Sequence, residues 1–263
     1  MKKLLTVMLT VALAAITALS LTACGSKDDV ASVKKAGKLV VGVTLYEPMD
    51  YIDANGNWTG FDAELAQGFA NELGVNCQIV VINWGNKVAE LNSKQIDLVW
   101  NGMTASDDLG EQIDFSVSYA KNAQVAVVKS DSSITTKDQI KNAKIAVEQG
   151  SAGATVAEEI GATQVNKVTA QVDALSEVKA GTSDVAIIDI TMAQSVVGKG
   201  DLANLKIVSG VSYGDEIFAV GLRKNSNLKE KLDAYLKAKY ADGTLTALAE
   251  KYSVGLNSDA LSA

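Results

Sequence analysis

The sequence predicts an α/β fold, in which mostly parallel sheets are covered by helices on both faces. Two observations predict it. From about residue 38 onward, short runs rich in β-forming residues alternate with helical patterns, and this alternation is typical of parallel sheets. In addition, the apolar run 96–100 ends abruptly at Asn101 and Gly102 and continues as a polar loop. That pattern indicates a buried strand whose carboxyl end reaches a loop, where α/β sheets bind their ligands.

The predicted elements of the first half follow in a regular order. The nearly continuous apolar residues of 38–46 predict a buried strand, and apolar residues at four-residue spacing predict a helix over 61–73. A strand over 78–82, a helix over 87–91 and the strand over 97–100 come next. Each strand is therefore followed by a helix or by the polar loop that could carry a ligand.

The second half repeats the same alternation. Strands are predicted over 123–129, 144–148, 165–169, 184–189 and 217–222. Helices are predicted over 155–160, 172–180, 191–197, 228–240 and 245–252. The chain is long enough for two small α/β lobes or for one large one.

The N-terminal segment predicts an extracytoplasmic protein. Lys2 and Lys3 precede an unbroken run of apolar and small residues over 4–23, which ends in Leu-Thr-Ala before Cys24. A basic start, a hydrophobic stretch and small residues before a cut are typical of a secretory signal. The ending resembles a lipobox, in which Cys24 would be lipidated and anchor the mature chain to the bacterial cell membrane. A single membrane-spanning anchor is the alternative. Residues 24–33 are expected to form the lipidated start and a flexible tether.

Composition excludes several classes of function. The formal net charge is −7 and no histidine is present. An acidic chain without a basic stripe is unlike proteins that bind nucleic acid, and the usual triads and zinc sites lose their commonest member. The pattern of a P-loop is absent, and the loop 150–153 lacks the spacing of a dinucleotide site. We therefore expect no cofactor, no metal and no catalytic residue.

Several motifs together resemble one protein family. The segment 97–116 matches almost throughout the motif of the extracellular solute-binding proteins of polar-amino-acid ABC importers. The opening strand 37–43 and the turn 53–62 are similar to further motifs of that family, in the same order. The resemblance implies a two-lobed periplasmic-binding-protein type II fold, with a ligand cleft between lobes joined by two hinge strands. It places lobe one at 34–120 plus 216–263, and lobe two, inserted, at 121–213.

The resemblance also implies a function. The protein would be a monomer that captures a small polar solute, most readily an amino acid, by hinge closure and hands it to an ABC permease. An enzyme of the same fold, similar to cyclohexadienyl dehydratase and using Glu148 as general acid, is the main alternative. A binding protein for a cationic ligand other than an amino acid is another.

Nine residues are expected to bind the ligand. They are Tyr46, Trp84, Asn101, Gly102, Thr104, Glu148, Ser151, Ala152 and Asp189.

The resemblance implies that lobe one contacts the ligand through aromatic side chains and through its backbone. Tyr46 and Trp84 match positions at which aromatic rings stack on the ligand, since an aromatic ring offers apolar area and a face that accepts a cation. Ordinary core packing is the alternative for both. Gly102 and Thr104 match the residues whose backbone carbonyl and amide bracket a bound amino acid. Asn101 completes the elbow, where a glycine permits close approach of the backbone.

Lobe two would hold both charged groups of an amino acid. The strand that ends at Glu148 continues into small residues and a helix, and such a helix start offers free N–H groups to a carboxylate. Ser151 and Ala152 would face that group, unless the segment is a simple turn. Asp189 ends an apolar strand and matches the acid that binds the α-ammonium. The alternative role for Asp189 is to cap the following helix.

One position departs from the family pattern. Leu109 occupies the place of the arginine that forms a bidentate pair with the ligand's carboxylate. Arg223 is the single arginine of the chain and lies far along it, while Lys87 and Lys121 are the nearest cations. Two hypotheses follow. The carboxylate could be bound by backbone amides and hydroxyls alone, or the ligand could be a cationic or neutral molecule without that carboxylate, anchored on Asp189 and Glu148.

Overall fold

The computed structural model describes residues 28–263. The predicted signal segment 1–23, the lipidated Cys24 and the first part of the predicted tether lie outside these residues. Within 28–263, no helix has both the length and the apolar character needed to cross a membrane.

The chain begins with helices and short strands that build a first sheet. In order, these elements are α1 (Asp29–Ala36), β1 (Lys38–Val43), β2 (Tyr51–Ile52), β3 (Trp58–Thr59), α2 (Phe61–Leu73), β4 (Asn76–Val81), α3 (Lys87–Asn92), β5 (Leu98–Val99), α4 (Asp107–Gln112) and β6 (Asp114–Phe115). A 3₁₀ turn, Trp84–Asn86, leads into α3.

A second sheet follows, and the chain then returns to the first. The second set is β7 (Ala120–Lys129), α5 (Lys137–Lys141), β8 (Ile145–Glu148), α6 (Ala152–Glu159), β9 (Val165–Val168), α7 (Gln171–Ala180), β10 (Val185–Asp189), α8 (Ile190–Val196) and β11 (Leu205–Phe218), with a 3₁₀ turn at Gly200–Leu202. The returning elements are β12 (Gly221–Leu222), α9 (Leu228–Ala241), α10 (Thr244–Tyr252) and α11 (Ser258–Ser262).

Two five-stranded sheets give the described chain two lobes, and the predicted two-lobed α/β fold is confirmed. Lobe one contains the strand order β4-β1-β5-β12-β6, and lobe two contains β11-β7-β10-β8-β9. The apolar side chains of β8 and β10 are fully buried, as expected for strands that have both faces covered by helices. In lobe two, sequence runs without alternation therefore mark the interior of the sheet.

The sheets are mixed, and the prediction of mostly parallel sheets was wrong. Within the described chain, β1 runs parallel to β4 and β5, and β8 runs parallel to β9 and β10. The other four pairings of the two five-stranded sheets, two in each, are antiparallel, as is the separate pair of β2 and β3. The cause is the connection between the lobes, because the chain enters lobe two along β7, leaves it along β11 and rejoins lobe one as β12.

The two connections between the lobes lie side by side. Tyr119 N–H donates to the carbonyl of Phe218 at 2.9 Å, and Ser116 N–H donates to the carbonyl of Val220 at 2.9 Å. The single strand predicted over 217–222 is therefore two strands, since Phe218 pairs with lobe two and Gly221 with lobe one. Paired crossing segments of this kind are suited to a hinge.

The last part of the predicted tether forms a helix, so that part of the prediction was wrong. Residues 29–33 belong to helix α1, in which Asp29 is 1% exposed and Val33 is buried in the core. Asp28 caps this helix by accepting a hydrogen bond from the backbone of Ala31. Arg223 then fixes it to lobe one through an ion pair between its Nε and Asp29 at 3.0 Å. A charged segment was mistaken for a tether because its distant ion-pair partner is not visible in the local sequence.

Candidate functional site

A cleft of about 510 Å³ lies between the lobes. Its walls come from loops at the carboxyl ends of strands in both sheets and from the returning strand β11, as expected for ligand sites of α/β sheets. The residues that line it on the lobe-one side are Trp84, Lys87, Asn101, Gly102, Met103, Thr104, Ser106, Asp107, Asp108 and Leu109. Those from lobe two and β11 are Glu148, Gly150, Ser151, Ala152, Thr155, Val156, Glu159, Gln171, Asp189, Tyr213 and Glu216.

Buried hydrogen bonds hold the Asn101–Gly102 elbow in place. The side-chain amide of Asn101 donates to the Thr44 carbonyl at 3.0 Å and to Asp50 at 2.7 Å, and its oxygen accepts from the Thr44 backbone at 2.9 Å. The Gly102 N–H donates to Asp62 at 2.6 Å. Asn101 thus lines the cleft, but its side chain is occupied by structural hydrogen bonds. Its contribution is to fix the shape of the loop.

Gly102 is required by close packing and by its backbone conformation. Its φ is +53°, a region that residues with a side chain rarely adopt. A Cβ at this position would lie 2.8 Å from the Tyr46 ring and 3.1 Å from the Phe218 ring. The glycine therefore lets the backbone lie directly on two aromatic rings, with its other side open to the cleft.

Thr104 presents its backbone to the cleft. Ala219 N–H donates to the Met103 carbonyl, and Ala105 N–H donates to the Ile217 carbonyl, both at 3.0 Å. In this type of antiparallel bridge, the N–H and C=O of the middle residue, Thr104, point away from the neighbouring strand. The bridge leaves these two groups free, and Thr104 is one of the residues that line the cleft.

The two predicted aromatic residues differ in position. Trp84 lines the cleft from the 3₁₀ turn that precedes α3. Tyr46 is 2% exposed and is absent from the lining, because its ring lies beneath Gly102. The expectation that Tyr46 offers a stacking face is not met in this structure. Burial raises the pKa of the Tyr46 hydroxyl far above its usual value, and the negative charges of Asp189 and Asp62 add to the rise.

The loop after β8 forms the start of helix α6. Ser151 is its N-cap, and the hydroxyl accepts from Ala154 N–H at 3.2 Å and donates to the Glu148 carbonyl at 2.9 Å. The first N–H groups of a helix have no partner within the helix. Neither Ala152 nor Gly153 has such a partner for its N–H, and Ala152 lines the cleft, whereas the Ser151 hydroxyl is already in use.

Asp189 lies at the centre of a network of amides. One carboxylate oxygen accepts from the side-chain amide of Gln124 at 2.7 Å and from that of Asn122, and the other accepts from Gln171. Gln171 also accepts the Asp189 backbone N–H at 2.9 Å. The side chain makes no capping bond to α8, so the alternative role as a side-chain cap is not supported. Donors surround this acid as they would an ionised carboxylate.

Glu216 is a further acid of the cleft that was not predicted. It lies on β11 and shares the amide donors of Asp189, accepting from Asn122 at 2.8 Å and from Gln124 at 3.0 Å. It also accepts from the Thr104 hydroxyl across the lobes at 3.0 Å. One sequence signal was present, because Asn122 and Gln124 alternate with apolar residues on an otherwise apolar strand and therefore share one face.

Burial controls the ionisation of the charged groups in the cleft. Burial raises the pKa of Asp189 to about 7, and the nearby charge of Glu216 adds to the rise. Burial likewise raises the pKa of Glu148 to about 8, with Asp189 adding to it. Glu148 is 2% exposed, and its Oε1 has no hydrogen-bond partner among the described residues. Burial and mutual repulsion therefore both favour the protonated forms of Asp189 and Glu148.

Lys87 is a second candidate for ligand binding, and the direction of its side chain could not be predicted from the sequence. Its side chain is 5% exposed and turned into the cleft, where Nζ lies 4.8 Å from the centre of the Trp84 ring. Lys121, the other lysine considered, is exposed and lies 3.9 Å from Asp259 at the surface. Arg223 is buried in lobe one and pairs with Asp29 and Asp97. Leu109, where the resemblance leads us to expect an arginine, also lines the cleft.

The sequence profile of one family matches most of this chain. The family is described as bacterial extracellular solute-binding proteins, family 3, and the match spans residues 39–255. The chain belongs to this family. The predicted resemblance to solute-binding proteins of amino-acid importers, and the predicted two-lobed fold, are therefore confirmed.

Relatives of this family 3 protein are binding proteins for amino acids. It is 30% identical to the arginine-binding extracellular protein ArtP of Bacillus subtilis, over 92% of this chain and 96% of ArtP. A substrate-binding protein of an ABC uptake transporter from Streptococcus pneumoniae, solved with bound histidine, is 30% identical and superposes with a TM-score of 0.79, covering 87% of this chain and 97% of that one.

One solved structure points toward an enzyme. AncCDT-1 is an ancestral amino acid-binding protein described as a precursor of cyclohexadienyl dehydratase. It is 28% identical to this family 3 protein and superposes with a TM-score of 0.78, covering 86% of this chain and 99% of that one. The relatives are thus binding proteins, and one of them is the precursor of an enzyme.

Proposed function

We propose that this protein captures an amino acid in the cleft between its lobes and delivers it to an ABC permease. The observation that carries the proposal is Asp189, a buried carboxylate that lines the cleft and is oriented by three side-chain amides. A buried carboxylate at a ligand site needs a cation, and the α-ammonium of an amino acid supplies one. ArtP and the Streptococcus pneumoniae protein, whose names state an amino-acid ligand, support this choice.

The cleft also offers contacts for the rest of an amino acid. The backbone N–H and C=O of Thr104 face the ligand space, and the start of helix α6 offers N–H groups on the opposite wall. Trp84 provides an aromatic face for the side chain of the ligand. Binding contacts from both lobes favour closure by a hinge at the paired crossing segments near Tyr119 and Phe218.

We further propose that the protein works outside the cytoplasm and is anchored by a lipid on Cys24. The support is the basic, hydrophobic and small-residue pattern before Cys24 and the extracellular description of the family. A lipid anchor would keep the protein near the permease while leaving the hinge free. Labelling of growing cells with radioactive palmitate tests this point, with Cys24→Ala as the unlabelled control.

The binding proposal is tested by isothermal titration calorimetry against arginine, histidine and the other common amino acids. We expect one or a few of them to bind at one site per chain, and we expect binding to raise the melting temperature by mass action. Failure of every amino acid to bind, with a thermal shift from a polyamine or a small peptide instead, would show that the ligand class is wrong.

A catalytic function is a second candidate, favoured by Glu148. Burial keeps this acid largely protonated at pH 7, because its pKa is raised to about 8, and a protonated acid in a cleft can act as a general acid. AncCDT-1 is described as a precursor of a dehydratase. Incubation with prephenate, followed by ultraviolet absorbance, tests this candidate. Turnover that Glu148→Gln abolishes would favour the enzyme over the binding protein.

A further inference from the structure

Lys87 is the one cationic side chain among the residues that line the cleft in the described chain. It begins helix α3 directly after the Trp84–Asn86 turn, so its position follows from a short rigid segment of lobe one. The side chain is 5% exposed. A lysine buried to this degree loses hydration, and it needs an anion or several hydrogen-bond acceptors in return.

The ammonium group of Lys87 is incompletely paired. It donates to the Trp84 carbonyl at 3.2 Å and to the Gly150 carbonyl of lobe two at 2.9 Å. An ammonium group has three N–H donors, so one donor remains. No carboxylate of the described residues lies within 4.0 Å of Nζ, including that of Glu148. Burial accordingly lowers the pKa of Lys87 to about 8, although Glu148 opposes the change.

The bond to Gly150 places Lys87 beside the start of helix α6. Gly150 directly precedes the N-cap Ser151, and all three residues line the same cleft. The partial positive charge of the helix start and the free N–H groups of its first turn favour an anion here. A buried ammonium of lobe one, with a spare donor, and a helix start of lobe two therefore meet across the cleft. Both attract a carboxylate.

We propose that Lys87, together with the first N–H groups of α6, binds the carboxylate of the ligand in place of the arginine that Leu109 replaces. This inference rests on the proposed function and deepens it, because it assigns the ligand to the α-amino acids and not to their decarboxylated amines. A cationic ligand without a carboxylate would leave Lys87 unpaired and would bring a second positive charge toward it. The carboxylate is then not bound by backbone amides and hydroxyls alone.

Paired ligands test this assignment. Arginine and agmatine, and histidine and histamine, differ only in the carboxylate. We expect the wild-type protein to bind the amino acid of a pair at least about tenfold more tightly than the amine. In Lys87→Met, affinity for the amino acid should fall by about ten- to a hundredfold, the range of a charge-assisted hydrogen bond, while affinity for the amine should stay equal or rise.

Three further variants separate recognition from folding. Lys35→Met makes the same change at an exposed lysine outside the cleft and should leave both affinities unchanged. Lys87→Arg keeps the charge and should keep the preference for the amino acid. Leu109→Arg, made in Lys87→Met, returns a cation to the cleft and should restore binding of the amino acid. Leu109→Arg in the wild-type protein should tighten the amino acid and weaken the amine, which tests the charge logic even if Lys87→Met does not fold.

The outcomes that overturn the assignment are distinct from failure of the proposed function. Equal losses for amino acid and amine in Lys87→Met would show that Lys87 only supports the fold. Tighter binding of the amine by the wild-type protein would overturn the role of Lys87 but leave solute capture intact. Failure of every common amino acid and of the corresponding amines to bind would overturn the proposed function itself.

Discussion

Replacement of Asp189 by Asn should remove most of the affinity for an amino acid. The side chain is 5% exposed and held by amides of Asn122, Gln124 and Gln171, so an ammonium bound to it would be shielded from water. Loss of one partner of a buried, hydrogen-bonded charge pair costs about 2–5 kcal/mol. At 1.4 kcal/mol per tenfold, the dissociation constant should rise between about thirtyfold and several thousandfold.

The partial ionisation of Asp189 changes the expected rise of the dissociation constant little. With a pKa of about 7, about half of the empty sites carry the charge at pH 7, so completing the ionisation on binding weakens the affinity by only about twofold. The variant should also be somewhat less stable, because an NH₂ group would face amide donors at a cost of about 1–3 kcal/mol. That cost is smaller than the stability of an ordinary domain, and the folded fraction can be checked by circular dichroism.

Isothermal titration calorimetry at pH 7 measures the change directly. Asp184→Asn is the matched control, since Asp184 is exposed and accepts only the backbone N–H of Lys144 at 3.0 Å. It should bind the amino acid as the wild-type protein does. A folded Asp189→Asn protein that keeps its affinity within about threefold would refute the assignment of Asp189 to the ammonium.

Three further predictions concern pH, stability and packing. Amino-acid affinity should rise from pH 5.5 to about 7.5 as Asp189 ionises. It should fall above about pH 8 as Lys87 loses its proton. An affinity measured by calorimetry that does not change with pH would contradict the roles of both residues in binding. Arg223→Met should cost about 3–5 kcal/mol, because it removes the close partner of the buried Asp29 and leaves that carboxylate only the more distant Lys94 at 3.9 Å. The melting temperature should fall by about 6–20 °C, and the preference between ligands should not change. Gly102→Ala should cost about 1–3 kcal/mol through its steric clash and positive φ, and an unchanged melting temperature would show that the loop yields easily.

The parts of the fold that the sequence predicts correctly are those with a local signal. The buried strands β8 and β10 are continuous apolar runs, and α2 shows its apolar face at four-residue spacing. Gly102 after a buried strand marks the loop that lines the cleft. In each case the residues that determine the structure are neighbours in the chain, so the pattern is complete in a short segment.

The parts that sequence reasoning missed depend on distant partners. Helix α1 looks like a polar tether until Arg223, almost two hundred residues away, pairs with Asp29. Lys87 looks like a surface lysine, and one of the two carbonyls that hold its side chain inward, that of Gly150, comes from the other lobe. Glu216 enters the cleft because β11 crosses between the lobes. Neither periodicity nor motif spacing encodes such long-range pairings.

The departure at Leu109 now has a physical interpretation. The arginine expected from the resemblance is absent at Leu109, but the cleft has one buried cation, Lys87, next to the start of helix α6. A lysine offers a point charge without the bidentate geometry of an arginine. We therefore expect the ligand's carboxylate to be oriented less strictly than in a protein with the arginine. We also expect its binding to depend more strongly on pH.

The most direct test of the central claim is a crystal structure of the protein with the amino acid that binds most tightly in calorimetry. We predict closed lobes, with the α-ammonium within hydrogen-bond distance of Asp189. The carboxylate should lie within hydrogen-bond distance of Lys87 Nζ and of the Ala152 N–H. An amino acid bound outside the cleft, or one whose carboxylate lies away from Lys87, would contradict the account.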